Sequence, residues 1–243
     1  MFENRKYRSK SKREGLVCFT VTAKETDLHI QAISDLSKIA LTKVLQLRDF
    51  VESYIEIHPE FKTSFTPLEP IVAATPKIVR DMIDAGKRAS VGPMAAIAGA
   101  IAQHTGDELL KYSSEVIVEN GGDIFFKLNS DMVFTIFAGK SPLSMKVGAR
   151  IAPTKLGSGM ALCTSSGTVG HSISFGKADA ATVISHSCSI ADAAATALGN
   201  IVKQDCDIEK AIEFGQQIDG VKGVIIIKGK RLGAWGELEL VGL

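Results

Sequence analysis

A chain of 243 residues with 45% hydrophobic and 23% charged side chains carries enough apolar material for one large core. Its net charge of +1 is uneven: Arg5, Lys6, Arg8, Lys10, Lys12 and Arg13 against Glu3 and Glu14 give residues 1–14 a local +4, leaving −3 for the rest. A faintly acidic body speaks against a charge-driven nucleic-acid surface, and the longest apolar run, residues 91–102, is shorter than the roughly 18–20 residues of a membrane-spanning helix.

The expectation is a cytoplasmic protein with a basic, flexible arm over residues 1–14 and a single α+β domain over 15–243. Residues 15–33 alternate as a strand pair, with Lys24, Glu25, Thr26 and Asp27 as the turn. From Ser34 the period lengthens: Ile39, Val44, Leu47, Val51 and Ile55 recur at helical spacing to about His58, with Ser34 or Asp35 as cap. Thr75 and Pro76 open a second helix to about Gly86, with Thr75 as N-cap. A third helix over 94–112 is built largely of alanine and glycine, which requires close packing against a sheet or a ligand.

Strands are expected over 115–119, 123–128, 132–137, 144–151, 161–164, 170–175 and 181–185. Helices follow over 192–202 and 208–218, and a final strand pair over 223–228 and 231–240. Helices in blocks and strands in meanders imply a mainly antiparallel sheet packed against helices. No internal repeat is legible.

Polar side chains that could do chemistry gather in the 119–123 turn and within residues 158–200. The turn Asn120-Gly121-Gly122-Asp123 is ordinary hairpin chemistry; its glycines also let backbone amides approach a ligand that Asn120 and Asp123 could hydrogen-bond. In residues 164–171, Ser165, Ser166, Gly167 and Thr168 could cradle phosphate, and His171 is a candidate general acid/base or a structural strand histidine. Asp192 and Thr196 share one face of a helix, as oxygen ligands for magnesium or as an N-cap and a filler among alanines. Cys18, Cys163, Cys188 and Cys206 are too far apart for a zinc ribbon or a C-x-x-C pair and are expected as free thiols. Cys163 near His171, and Cys188 near His186, open a second reading as thiol chemistry, which needs a thiol of lowered pKa.

The order of Asn120-Gly121-Gly122-Asp123-Ile124, Ser165-Ser166-Gly167 with His171, and residues 191–199 resembles the motifs of the ApbE family of flavin transferases. It is most similar to the ApbE-like uncharacterised protein family found largely in archaea and some bacteria. The resemblance implies a T-fold-like α+β architecture and magnesium-dependent transfer of FMN from FAD to a protein threonine. On that model Asp192 and Thr196 match the metal-binding helix, Gly121, Gly122 and Asp123 line the nucleotide site, and His171 stands beside the flavin. It further implies a phosphorylated small-molecule ligand, association as a homo-oligomer such as a dimer, and a link to sulfur assimilation in some archaea. A non-catalytic oligomeric binding protein is the remaining alternative.

Overall fold

The computed structural model describes residues 13–69, 75–153, 159–167 and 175–243. Strands β1 (Val17–Ala23) and β2 (Thr26–Ala32) form the expected hairpin, closed by Lys24 and Glu25 alone. Thr26 and Asp27 belong to the ladder, opposite Ala23 and Thr22. Helix α1 (Ser37–Ile57) buries Ala40, Val44, Leu47, Val51 and Tyr54, a row at three- and four-residue spacing, and Asp35 Oδ1 accepts the Ser37 N–H at 2.8 Å. A short helix α2 (Glu60–Thr63), which local periodicity does not announce, seats Phe61 in the core.

Helix α3 (Lys77–Ala89) starts one residue after the expected position, with Pro76 as the N-cap residue in place of Thr75. The alanine-rich segment splits into a 3-10 turn, Pro93–Ala96, and α4 (Ile97–Leu109). Its small residues meet both a sheet and a helix. A Cβ on Gly106 would lie 2.1 Å from the Phe125 ring, and one on Gly99 would lie 2.4 Å from the Cys188 carbonyl oxygen.

The remaining elements are β3 (Val116–Asn120), β4 (Asp123–Lys127), β5 (Met132–Thr135), β6 (Val147–Ile151), β7 (Met160–Ser165), β8 (Ala180–Ser185), α5 (Cys188–Ile201), α6 (Ile208–Gln217), β9 (Val221–Lys228), β10 (Arg231–Gly236) and β11 (Glu239–Gly242). Of the strand expected over 170–175, residues 170–174 lie outside the described residues. The strand expected over 231–240 breaks at Gly236, whose φ of +105° and closeness to the Lys222 carbonyl admit no side chain. Beyond the break the chain changes sheets.

Eight strands form one antiparallel sheet in the order β1-β2-β3-β4-β7-β8-β9-β10, and three form a second in the order β11-β6-β5. The large sheet is a duplication that the sequence does not betray. A hairpin, a block of helices and a second hairpin run from β1 to β4, and the same order runs from β7 to β10. The halves join where β4 pairs with β7, at the middle of the sheet.

Alternation assigns the two faces. Val118, Phe125, Cys163, Val183 and Val224 point to the helices, forming the main core. Ile117, Phe126, Leu162, Ile184 and Ile225 point the other way and pack on Phe134, Ala149 and Ile151 of the small sheet. The result is an α+β architecture of helices, large sheet and small sheet in three layers. Among the described residues, no helix is long and apolar enough to cross a membrane.

Candidate functional site

The seam between the halves brings Asn120, Gly121, Gly122, Asp123 and Asp192 together. Gly121 and Gly122, at φ of +72° and +133°, make the two-residue turn from β3 to β4, so that Asn120 and Asp123 pair across its base. The Gly122 carbonyl accepts the Thr164 N–H at 3.2 Å, tying the turn to β7. Asp123 lies opposite Cys163 in the β4–β7 ladder, and its carboxylate is hydrogen-bonded by the Cys163 thiol and the Thr164 backbone.

Helix α5 supplies the second carboxylate. Ser187 is its N-cap and accepts the Ile190 N–H at 3.4 Å, so Asp192 sits one turn inside the helix and does not cap it. Asp192 caps a different helix: its Oδ2 accepts the Gly99 N–H at 2.8 Å in the first turn of α4. Asn120 holds the same turn from the other side, its Nδ2 donating to the Ala98 carbonyl at 3.1 Å. The first turn of α4 is thus gripped by one residue from each half. Ala98 and Gly99 escape a reading by residue type because they contribute only backbone, and the signal that carries them is the need for small side chains at the contact.

Both carboxyl groups are pushed toward their protonated forms. Burial pushes Asp123 up to about 7 against the partial relief of the Cys163 hydrogen bond, and the nearby Glu119 adds a smaller push in the same direction as burial. Burial and the neighbouring Asp123 push Asp192 well above the usual carboxylate range. A pair of enclosed carboxyls whose charge is opposed by burial and by each other suits a cation or a proton-transfer task.

Thr196 lies one helical turn beyond Asp192 and is half-buried. Farther along α5, Ser165 Oγ lies 3.5 Å from the position a Cβ on Gly199 would take, which places the start of the Ser165-Ser166-Gly167 segment against this helix. Gly167 donates to the Ala178 carbonyl at 2.9 Å, and Ser166 is half-buried beside it. Thr168 and His171 lie outside the described residues. Among the described residues, no group of three His, Cys, Asp or Glu side chains is placed to hold a metal ion.

The surroundings of Cys163 oppose the alternative reading as thiol chemistry. Cys163 and Cys188 are buried free thiols, their sulfurs 3.5 Å apart. Burial first, and then the Cys188 contact, push the Cys163 thiol up, and burial does the same to Cys188. Thiolate chemistry needs the opposite shift.

Residues 8–239 match the family model described as AbpE bacteria. The chain belongs to this family. Among AbpE relatives, a UPF0280 protein of Methanococcus aeolicus is 39% identical over 222 residues, covering 90% of this chain and 89% of the relative. UPF0280 proteins of Methanocaldococcus jannaschii and Archaeoglobus fulgidus are 40% and 37% identical, covering 82% and 83% of both chains. The AbpE chain is also similar in structure to the flavin transferase ApbE from Vibrio cholerae, with a TM-score of 0.58 at 14% identity, covering 91% of this chain and 97% of the other. The apo flavinyl transferase ApbE of Pseudomonas stutzeri gives a TM-score of 0.57 at 12% identity, covering 91% of this chain and 94% of the other. At such identities the likeness establishes the shared fold.

Proposed function

We propose that this AbpE protein binds a flavin nucleotide together with magnesium at the seam between its halves and carries out chemistry related to FMN transfer. The observation that carries this reading is the convergence of Asp123 and Asp192, one from each half, in a buried seam where each opposes the other's charge. A divalent cation would replace those protons, and when bound with the nucleotide it would neutralise charge on the pyrophosphate. Asp192 and Thr196 hold the cation, and Asp123 completes the acidic pair. The Asn120-Gly121-Gly122 turn and the Ser165-Ser166-Gly167-Thr168 segment present backbone N–H and hydroxyl donors to the nucleotide. His171 is assigned the proton-transfer role beside the flavin.

The named ApbE flavin transferases of the same fold support the choice of nucleotide. The experiment is a thermal-shift titration with FAD, FMN, ADP and ATP, each with and without magnesium. A magnesium-dependent rise in melting temperature with FAD is the expected result. The absence of a shift with every nucleotide would overturn the proposal.

A further inference from the structure

Two phenylalanines outside the carboxyl pair are held side by side. Phe65 and Phe175 are 58% and 56% exposed. Their ring centroids are 5.2 Å apart with the planes at 77°. Phe65 comes from the first half of the duplication and Phe175 from the second. An edge-on contact covers at most one face of one ring, so the pair leaves flat apolar surface open to solvent.

Both backbones are anchored, which separates this pair from loosely placed surface aromatics. A Cβ on Gly92 would lie 1.9 Å from the Ser64 carbonyl oxygen and 3.1 Å from Phe65 Cα, so the Ser64–Phe65 backbone rests directly on the chain entering the 3-10 turn before α4. The Ser64 hydroxyl donates to the Thr66 carbonyl at 2.7 Å and accepts the Thr66 N–H at 3.1 Å, closing that loop on itself. The Phe175 N–H donates to Asn200 Oδ1 at 2.9 Å, and the Lys203 ammonium donates to the Phe175 carbonyl. The next residue, Gly176, fits only as glycine against the Gly199 carbonyl of α5.

The same contacts tie the rings to the candidate site. The Gly176 carbonyl lies 2.3 Å from the position a Cβ on Gly167 would take, so the Phe175 loop packs on the end of the Ser165–Gly167 segment. Gly199, which Gly176 touches, is three residues beyond Thr196 on α5 and neighbours Ser165. One ring therefore stands next to the segment assigned to the nucleotide, and the other meets it from across the two halves.

We infer that Phe65 and Phe175 form the binding site for a planar heteroaromatic ring, stacked on the phenyl faces while its phosphates lie toward Ser165–Gly167. This inference rests on the proposed nucleotide site and adds where the ring sits. The shared chemistry fits an isoalloxazine or an adenine, and stacking on an aromatic side chain is worth roughly a tenfold or greater change in affinity when the ring is removed.

The test is calorimetric titration of the full chain with FAD, FMN and ADP in the presence of magnesium, comparing the wild type with Phe65→Leu, Phe175→Leu, Phe65→Tyr and Phe175→Tyr. Leucine keeps apolar bulk without a flat face, and tyrosine keeps the face. We expect unchanged melting temperatures without ligand, FAD affinity weakened roughly tenfold in each leucine variant, and near wild-type affinity in each tyrosine variant. A loss that appears with FMN and not with ADP assigns the isoalloxazine; the reverse assigns the adenine. If the wild type binds FAD and both leucine variants bind it equally well, the ring site is overturned and the nucleotide site stands. A wild type that binds none of the three ligands overturns the nucleotide site and the ring site with it.

Discussion

Asp192 Oδ2 accepts the Gly99 N–H at 2.8 Å, so a carboxylate on α5 caps the first turn of α4. That contact couples site and scaffold, because the residue assigned to the cation also satisfies a backbone donor that would otherwise be buried without a partner. Isosteric and truncating substitutions should separate the two roles. Asp192→Asn keeps an oxygen for Gly99 and loses the carboxylate; we expect a melting temperature close to the wild type with magnesium-dependent FAD binding abolished. Asp192→Ala loses both, and removal of a cap costs about 0.5–2 kcal/mol, or roughly 1–8 °C for a chain of this size. Equal melting temperatures for the two variants would show that the cap does not matter.

Gly99 is the other side of this contact. An added Cβ would meet the Cys188 carbonyl oxygen at 2.4 Å and Asp192 Cβ at 2.9 Å, and neither a helix backbone nor the root of a side chain can move aside easily. Gly99→Ala should destabilise by about 1–3 kcal/mol and displace Asp192, weakening ligand binding as well. Gly242→Ala, where nothing lies within 4 Å, is the control expected to change neither. Urea denaturation of both variants checks the difference, and a neutral Gly99→Ala would contradict the tight α4–α5 approach.

How far the sequence reveals this arrangement depends on the range of the interaction. Residues 37–57 announce their helix because Ala40, Val44, Leu47, Val51 and Tyr54 repeat within one element. The Asn120–Asp123 turn is legible because paired glycines in positive φ are local chemistry. The start of α5 is misplaced by four residues because both Asp192 and Ser187 are good N-caps by type, and only the Ile190 N–H decides between them. The pairing of β11 with β6 is set by contacts far apart in sequence, and neither strand carries a mark of its partner. The duplication escapes for a related reason: the halves share an order of elements, while their helical blocks differ in number and length. Asp123 and Asp192 are visible as polar residues in small-residue surroundings, but their proximity follows from the β4–β7 pairing and from α5 packing on α4.

The pH dependence of stability follows from Asp123. Its folded-state value near 7 lies above the ordinary 3.8, so the folded protein holds a proton that the unfolded chain has released between about pH 4 and 7. The unfolded state binds fewer protons in that window, so stability is greatest at its acid end and is lost as the pH rises toward 7. Asp192, shifted in the same direction, extends the decline upward. We expect the melting temperature of the ligand-free protein to fall over this range, by about 2–4 °C for each kcal/mol lost. Asp123→Asn should flatten the fall, and a wild-type profile rising from pH 4 to 7 with the same slope in the variant would refute the assignment.

Thiol accessibility separates the structural cysteines from the surface one. Cys206 is exposed, whereas Cys163 and Cys188 are buried between β7 and α5 with their thiols pushed toward the protonated form. Alkylation requires a thiolate in contact with reagent, so each buried cysteine must await an opening of the α5–β7 contact. Under native conditions Cys163 and Cys188 should label at least about a hundredfold more slowly than exposed Cys206, all becoming reactive in denaturant. Asp123 links this protection to the site, because the Cys163 thiol donates to its carboxylate. Cys163→Ser keeps a donor and should retain FAD binding, while Cys163→Ala removes it and should weaken binding with little change in fold. Rapid native labelling of Cys163 would mean that the thiol is open to solvent and that the seam between the halves is looser than this packing allows.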